Sequence, residues 1–92
     1  MKHDDVSGLE YNPHEVELVR RWAVAHHVPI LKRKTINKRI TSYGLKHIVE
    51  KWAGEYIGND SLIRGLISCG LKAERIPGTP NFFFNIPSEV YK

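Results

Sequence analysis

The apolar residues of this chain repeat with helical spacing in three separate segments and then change to an alternation of period two. Over residues 42–56 they follow the i, i+3, i+4, i+7 pattern of a buried helix face, and residues 12–27 and 59–70 carry shorter stripes of the same kind. After Gly70 the apolar positions alternate over 71–74 and 81–86, which is typical of strands. The sequence therefore predicts an α+β fold with three helices followed by a β-hairpin.

Capping residues define the limits of the first predicted helix. Asn12 and Pro13 are the types preferred as N-cap and first helical residue, and Glu15 is placed to bond back to the cap. Pro29 disfavours helical geometry at the residue before it, so this helix is predicted to end near His26 or His27.

The connection between the first and second helices, residues 28–41, shows no helical period. It is rich in lysine and arginine, and its β-branched residues at 35, 36, 40 and 41 suit an edge strand. We expect a basic loop that leads into a short strand between helices 1 and 2.

The C-terminal third contains a turn between two alternating segments. Residues 77–80 read Pro-Gly-Thr-Pro, a cluster typical of turns, and Pro87 stops the second alternating segment. The pattern predicts a hairpin whose Phe82, Phe84 and Ile86 face the core.

Charge is divided unevenly along the chain, although the net charge is only +4. Residues 1–19 carry one base and five acids, which gives −4, whereas residues 47–92 carry five of each. Between Arg20 and Lys46 there are eight bases and no acid, and the acid-free stretch extends from Leu18 to Val49. This concentration of positive charge is the main functional signal in the sequence.

Like charges packed so closely repel one another, and a phosphate backbone relieves the repulsion by releasing condensed counterions. A solvated loop that only keeps the protein soluble is the alternative, since charge runs commonly have that role. An acidic protein surface is a second kind of partner that would fit this positive charge. We expect a nucleic acid, with DNA favoured, and leave the protein partner as the alternative.

The order of the predicted elements resembles that of winged-helix domains, a branch of the helix-turn-helix class, over about residues 13–87. The parts that carry the resemblance are the helix over 42–56, the turn at 57–59, the helix over 60–69 and the hairpin over 71–86. It implies a single winged-helix-like domain at 12–87. A flexible acidic segment at 1–11 and a C-terminal tail at 88–92 are expected outside it.

The resemblance also implies that the third helix takes the recognition position. The residues outside its buried stripe, which include Asn59, Ser61, Arg64 and Ser68, would then approach bases or phosphates. Gly65, in the middle of this helix, is explained equally well by close approach to a ligand or by close packing in the core. Because the hairpin turn at 77–80 has no lysine or arginine, we expect the basic loop to contact the nucleic acid more than the wing does.

Residues 42–47, 56–59 and 80–85 are also similar to small proteins of bacteria, phages and mobile elements to which no function is attached. A regulator or accessory protein of a phage or mobile element is the role this suggests. The complete set of candidate nucleic-acid-binding residues is Arg20, Arg21, Lys32, Arg33, Lys34, Lys38, Arg39, Lys46, Asn59, Ser61, Arg64, Ser68 and Lys72.

Catalytic and metal-binding patterns are absent from the sequence. Cys69 is the only cysteine, and His26 and His27 are adjacent and so lack the i, i+3 or i+4 spacing of a helical metal pair. No phosphate-binding glycine loop or nucleophile elbow occurs. We therefore expect a protein that is not an enzyme and needs no metal or cofactor.

The sequence also lacks an apolar stretch long enough for a membrane span or a signal peptide, which predicts a cytoplasmic location without membrane contact. The acidic segment at 1–19 could neutralise the basic segment of a second copy as well as that of its own chain. Both a monomer and a homodimer are compatible with the sequence.

Overall fold

The computed structural model describes residues 8–92, which form four helices and a two-stranded antiparallel sheet. The helices are α1 (Pro13–Ala25), α2 (Val28–Leu31), α3 (Ser42–Ala53) and α4 (Asn59–Ser68), and the strands are β1 (Ala73–Arg75) and β2 (Phe82–Phe84). A 3-10 turn at Ser88–Val90 follows β2. The α+β class expected from the sequence is confirmed.

Helix α1 begins at the predicted cap but is joined to α4 in an unexpected way. The side chain of Asn12 accepts hydrogen bonds from the backbone N–H groups of His14 and Glu15, at 2.9 and 3.1 Å. Glu15 does not bond back to the cap. Its carboxylate accepts from the N–H of Gly58 at 2.9 Å, and the N–H of Asn12 donates to Ser61 Oγ at 3.0 Å. The backbone N–H of Asn12 and the carboxylate of Glu15 therefore both bond to residues at the start of α4.

Helices α1 and α4 cross closely at Gly65. A Cβ atom at this position would lie 2.6 Å from Val19 Cγ1 and 3.3 Å from the carbonyl oxygen of Val16. Real Cβ atoms do not approach other atoms as closely as 2.6 Å, so the crossing requires glycine. Of the two explanations for Gly65, the structure shows close packing in the core.

The connection 28–41 contains a helical turn that the sequence pattern did not reveal. His27 adopts a left-handed conformation with φ of 59°, and Val28–Leu31 then form α2. Pro29 disfavours helix at the residue before it, but it is tolerated in a first helical turn because the N–H groups there have no helical partner. The prediction of three helices was therefore wrong by this one turn.

The short strand predicted between the first two long helices is reduced to one bridge. Asn37 pairs antiparallel with Phe84, and its N–H donates to the carbonyl of Phe84 at 2.8 Å. Strand β2 pairs with β1 along its other edge, in a register that sets Ala73 opposite Phe84 and Arg75 opposite Phe82. Strand β2 is thus bonded on both sides, and Phe82, Phe84 and Ile86 are buried as predicted.

Helix α3 ends earlier than its apolar pattern indicates. Gly54 caps it in the left-handed conformation, with φ of 72°, so Tyr56 lies beyond the helix and is 69% exposed. Trp52, in the last turn, is 47% exposed. Both were predicted to be buried, and only the first two turns of the stripe keep their apolar face in the core.

The two segments expected to be flexible are in contact with the domain wherever the structure describes them. Leu9 packs against the core, and the N–H of Glu10 donates to Asp60 Oδ2 at 3.0 Å; residues 1–7 of the predicted N-terminal segment lie outside the described residues. At the other end, Val90 is buried and Tyr91 packs against the core. The predicted tail at 88–92 is therefore part of the domain, because it covers apolar surface that would otherwise meet water.

Replacement of Gly65 by alanine should destabilise the protein. The new methyl group gains helix propensity but must displace the buried side chain of Val19, so we expect the free energy of unfolding to fall by about 1 to 3 kcal/mol. Gly44→Ala in α3 is the matched control, since its nearest neighbour is a side-chain carbon of Ile40 at 3.0 Å, which has more room to move. Urea denaturation of both variants measures the difference, and equal effects would contradict the close-packing explanation.

Candidate nucleic-acid interface

The basic loop, defined here as residues 32–39, connects α2 to the segment before α3. Its five cationic side chains are all exposed: Lys32, Arg33, Lys34, Lys38 and Arg39. Both ends of the loop are hydrogen-bonded to the chain segment that follows β2.

Asn85 holds the first end of the loop. Its Nδ2 donates to the carbonyl of Arg33 at 2.7 Å, and its own carbonyl accepts from the N–H of Arg33 at 2.8 Å. Its Oδ1 accepts from the N–H of Lys72 at 2.8 Å. Asn85 is 1% exposed, so the backbone at Arg33 is fixed by a buried amide whose nitrogen and oxygen both form hydrogen bonds.

Asn37 holds the second end. Its Nδ2 donates to the carbonyl of Ile86 and to the hydroxyl of Tyr91, both at 2.9 Å, and its Oδ1 accepts from the N–H of Arg39 at 2.9 Å. It is 5% exposed. Together with its backbone bridge to β2, these bonds fix the residues on either side of it, Lys38 included.

Few of the cationic groups on the loop are neutralised. Lys32 Nζ donates to the carbonyl of Pro29 at 2.9 Å, and Lys38 Nζ lies 3.9 Å from Glu74 Oε1 in an exposed pair. Within residues 8–92, Arg33, Lys34 and Arg39 have no carboxylate within 4 Å. Most of the positive charge of the loop is therefore available to a ligand.

A cleft of about 600 Å³ opens on this loop. It is lined by Arg33, Ile36, Asn37, Lys38, Arg39 and Ser88. Three of these side chains are cationic and none is a carboxylate. Three other clefts in the described chain each include at least one glutamate, namely Glu89, Glu50 with Glu55, and Glu17. The lining of the cleft beside Ser88 is thus cationic and contains no carboxylate.

Lys72 lies beside the loop, whereas Arg20 and Arg21 lie elsewhere. Lys72 Nζ is 3.5 Å from the carbonyl of Lys34. Arg20 and Arg21, on α1, both lie near Glu17, at 3.8 and 3.2 Å, and Arg20 also donates to Ser68 Oγ at 2.8 Å. These two arginines share one carboxylate and form a separate, partly neutralised surface.

Lys46 was predicted to contact nucleic acid, but it is buried. Only 6% of the residue is exposed, its Nζ lies 2.8 Å from Glu50 Oε2, and it lies over the ring of Tyr56 at 4.6 Å from the ring centre. An i, i+4 spacing on α3 brings the two charges together, and Tyr56 covers them. Lys46 therefore does not belong to the interface.

Glu50, the acidic partner in this pair, is partly buried, with 19% of its side chain exposed. Its carboxylate also accepts hydrogen bonds from the N–H of Ile57 at 3.0 Å and from His47 Nδ1 at 3.1 Å. Burial by itself raises the pKa of Glu50, but the hydrogen bonds from Lys46, Ile57 and His47 outweigh burial and hold the pKa below its usual range. The group fixes the turn between α3 and α4.

Helix α4 offers less surface than the resemblance implies. Ser61 is buried and accepts its bond from Asn12, which corrects its assignment as a binding residue. Asn59 Nδ2 donates to the carbonyl of Pro80 at 3.1 Å and to Asn81 Oδ1 at 3.2 Å, so it holds the hairpin turn. Ser61 and Asn59, the predicted contact residues at the start of α4, therefore hold the cap of α1 and the hairpin turn in place.

The remaining two candidates on α4 are also engaged. The guanidinium of Arg64 lies 5.3 Å from the ring centre of Tyr11, and the hydroxyl of Ser68 donates to the carbonyl of Gly65 at 2.7 Å while it accepts from Arg20. None of the four residues predicted on α4 joins the basic loop.

Sequence reasoning found the cations of the loop but missed Asn37, Asn85 and Ser88. Asn85 gave the only signal, as a polar residue in the apolar stretch 82–86.

Other chemistry is limited in the part of the chain that the structure describes. Burial raises the pKa of the Cys69 thiol, with a smaller opposing effect of Arg20, so this sulfur is a poor nucleophile at neutral pH. Residues 8–92 contain no group of three or more histidine, cysteine, aspartate or glutamate side chains placed to hold a metal ion. None of the helices in this range has the length and apolar character needed to cross a membrane.

Comparison of the chain with protein-family models, with curated protein sequences and with solved structures finds no significant match.

Replacement of Glu50 by glutamine should lower stability in a pH-dependent way. The carboxylate is stabilised by folding, so its contribution is present above the unfolded pKa of about 4.5 and is lost as pH falls through the lower folded pKa. We expect Glu50→Gln to lower the free energy of unfolding by about 2 kcal/mol at pH 7, with a smaller difference from wild type at pH 3.5.

Urea denaturation at both pH values measures these differences. Glu55→Gln is the control, since this carboxylate is half exposed and pairs with His14, and it should change stability by less than about 0.5 kcal/mol at pH 7. A wild-type-to-Glu50→Gln difference that stays constant with pH would contradict the assignment of Glu50 as an ionised anchor.

Replacement of Asn37 by leucine should destabilise the protein by about 2 to 4 kcal/mol. It removes the partner of the carbonyl of Ile86 in a buried bond, and those of the hydroxyl of Tyr91 and the N–H of Arg39 in partly buried bonds. The control is Asn81→Ala, which removes one acceptor at 3.2 Å in a partly buried position and should cost less than about 1 kcal/mol. Chemical denaturation distinguishes the two, and a loss below 1 kcal/mol for Asn37→Leu would show that water replaces these bonds.

Proposed function

We propose that this protein binds nucleic acid, with DNA as the favoured ligand, through the basic loop and the cleft it lines. The observation that carries the proposal is the cleft of about 600 Å³ with Arg33, Lys38 and Arg39 in its lining and no carboxylate. Phosphate groups are the anions that such a surface binds best, since arginine presents two parallel donors to phosphate oxygens and each contact releases bound counterions.

The way in which the loop is held supports this function. Buried amides at Asn37 and Asn85 fix its backbone, so the entropy lost when the cations meet a ligand is smaller than for a free loop. A loop that served only solubility would not need two buried asparagines to order it. The fixed backbone therefore favours binding over the solvated-loop alternative.

A winged-helix-like arrangement is part of the proposal. Its support is the element order α1, α3, α4 and hairpin, together with the bridge that brings Asn37 alongside β2. In this protein the basic loop takes the main contact role, with Lys72 beside it, while α4 is occupied by contacts to α1 and the hairpin turn. A role as a regulator or accessory protein of a phage or mobile element, in the cytoplasm, rests on the sequence resemblance and on the proposed ligand.

A second candidate is a protein-interaction domain that grips an acidic partner surface. One observation favours it: Ile30 is 80% exposed and Leu31 50% exposed, directly before Lys32. Exposed apolar residues next to cations suit a protein interface with acidic groups at its rim. Pull-down with the intact chain from a nuclease-treated lysate, compared with an Ile30→Ser variant, tests it. Retention of one acidic partner by the wild type alone would support this function.

The proposed function is tested by fluorescence anisotropy of labelled duplex DNA, single-stranded DNA and RNA at about 50 and 200 mM salt. We expect binding that weakens by at least about tenfold at the higher salt. The double variant Arg33→Gln and Arg39→Gln should bind at least about tenfold more weakly at 50 mM. It should also show a shallower salt dependence, since roughly two phosphate contacts are lost.

The double variant Arg20→Gln and Arg21→Gln removes the same net charge from α1 and is the matched control. It should bind almost as well as the wild type, because these arginines share Glu17 and lie outside the loop. Circular dichroism is the check that both variants are folded. Absence of binding at 50 mM by the wild type, or equal loss in the two double variants, would refute the proposal.

A further inference from the structure

We propose that the cleft lined by Arg33, Lys38, Arg39 and Ser88 binds the terminal phosphate of a nucleic-acid strand, a phosphomonoester, in preference to a phosphate within the strand. This inference rests on the proposed function and specifies the group that enters the cleft. It follows from the charge of the cleft, from its concave shape and from the donors that remain free in its lining.

The charge of the cleft exceeds what one internal phosphate can match. An internal phosphodiester carries one negative charge, whereas a phosphomonoester carries about −1.5 to −2 at pH 7. Three cationic side chains surround one space with no carboxylate in its lining. A terminal phosphate brings about twice the charge to the same site and leaves less positive charge unmatched.

The shape of the cleft also favours a strand end. Its lining residues come from two parts of the chain, the basic loop and Ser88 in the C-terminal turn, so it is a recess between elements. An internal phosphate has a sugar on each side, so it reaches the cationic side chains only where both sugars are also accommodated. A terminal phosphate has a sugar on one side only, so its approach is less restricted.

The donors in the lining divide into those that are free and those already used. Both N–H bonds of the Asn37 amide point to Ile86 and Tyr91, so Asn37 positions the cleft and does not bind the ligand. The hydroxyl of Ser88 has no hydrogen-bond partner within residues 8–92. Lys38 is 67% exposed in its long contact with Glu74, which is an exposed pair that a phosphate can readily replace.

Asn37 also joins the two walls of the cleft. Its Oδ1 accepts from the N–H of Arg39 on the loop side, and its Nδ2 donates to the hydroxyl of Tyr91, which ends the turn that carries Ser88. The distance between the loop and the turn is therefore fixed before a ligand arrives. A fixed cleft reduces the entropy that is lost when an anion binds.

The test compares three versions of one single strand that carry the same fluorophore on an internal base. One has hydroxyl groups at both ends, one has a 5′-phosphate and one has a 3′-phosphate. Anisotropy is measured for the full chain at about 50 mM salt and pH 7.5. We expect at least one phosphorylated strand to bind about tenfold more tightly than the hydroxyl-ended strand.

Variants assign this preference to the cleft. Ser88→Ala should reduce the ratio between phosphorylated and hydroxyl-ended strands, because it removes a hydroxyl donor from the cleft and leaves the charge of the cleft unchanged. The double variant Arg33→Gln and Arg39→Gln should bring the ratio to about one. The double variant Arg20→Gln and Arg21→Gln should leave the ratio as it is in the wild type. At pH 5.5 the ratio should fall for the wild type, because the second ionisation of a phosphomonoester has a pKa of about 6.

The binding of the hydroxyl-ended strand and the ratio between strands report on different claims. If the hydroxyl-ended strand binds and the ratio is one for both phosphorylated strands, the strand-end inference is wrong while the proposed function stands. If no strand binds, both fail. A nucleoside monophosphate that binds as tightly as the phosphorylated strand would also overturn the inference, since the ligand would then be a free nucleotide.

Discussion

The hydrogen bonds along β2 and the four residues after it are the interactions on which the rest of the structure depends. On one edge this segment pairs with β1, and on the other it receives the N–H of Asn37 at the carbonyl of Phe84. The N–H of Phe82 donates to the buried hydroxyl of Ser42, at the start of α3. Phe82, Phe84 and Ile86 reach the core from the same segment, so buried apolar surface and satisfied backbone groups are achieved together.

The basic loop is ordered by the same segment. The side-chain amides of Asn37 and Asn85 form hydrogen bonds with backbone groups of the loop and of the segment after β2. These bonds fix the path of the loop. The five cationic side chains of the loop are exposed to solvent. Folding thus fixes the position of the loop charges. The segment whose like charges repel one another is hydrogen-bonded to the segment after β2, which is itself held by β1 and the core.

Tertiary contacts divide the basic segment of the sequence into three groups with different roles. Lys46 is buried with Glu50 and holds the turn before α4, and Arg20 and Arg21 share Glu17 on α1. The cations of the loop are left largely unpaired, with the pair between Lys38 and Glu74 the weak exception. Most of the unpaired cations of the basic segment therefore lie on the loop, and α4 contributes none of them. The recess between the loop and the C-terminal turn, where Ser88 lies, gives that site a defined size.

The sequence by itself determined the α+β class, the three long helices, the inward face of the hairpin and the acid-free basic segment. Each of these follows from spacing or capping between residues that are close along the chain, as at Asn12 or Phe82 to Ile86. Only the tertiary structure decided that Ser61 and Lys46 are buried, that residue 90 is in the core and that the predicted strand is a single bridge at Asn37. It also decided which cations are free. These outcomes depend on partners 40 or more residues away, such as Ser61 with Asn12 and Asn37 with Ile86, or on one covering ring, as for Lys46, and no local pattern encodes such distances.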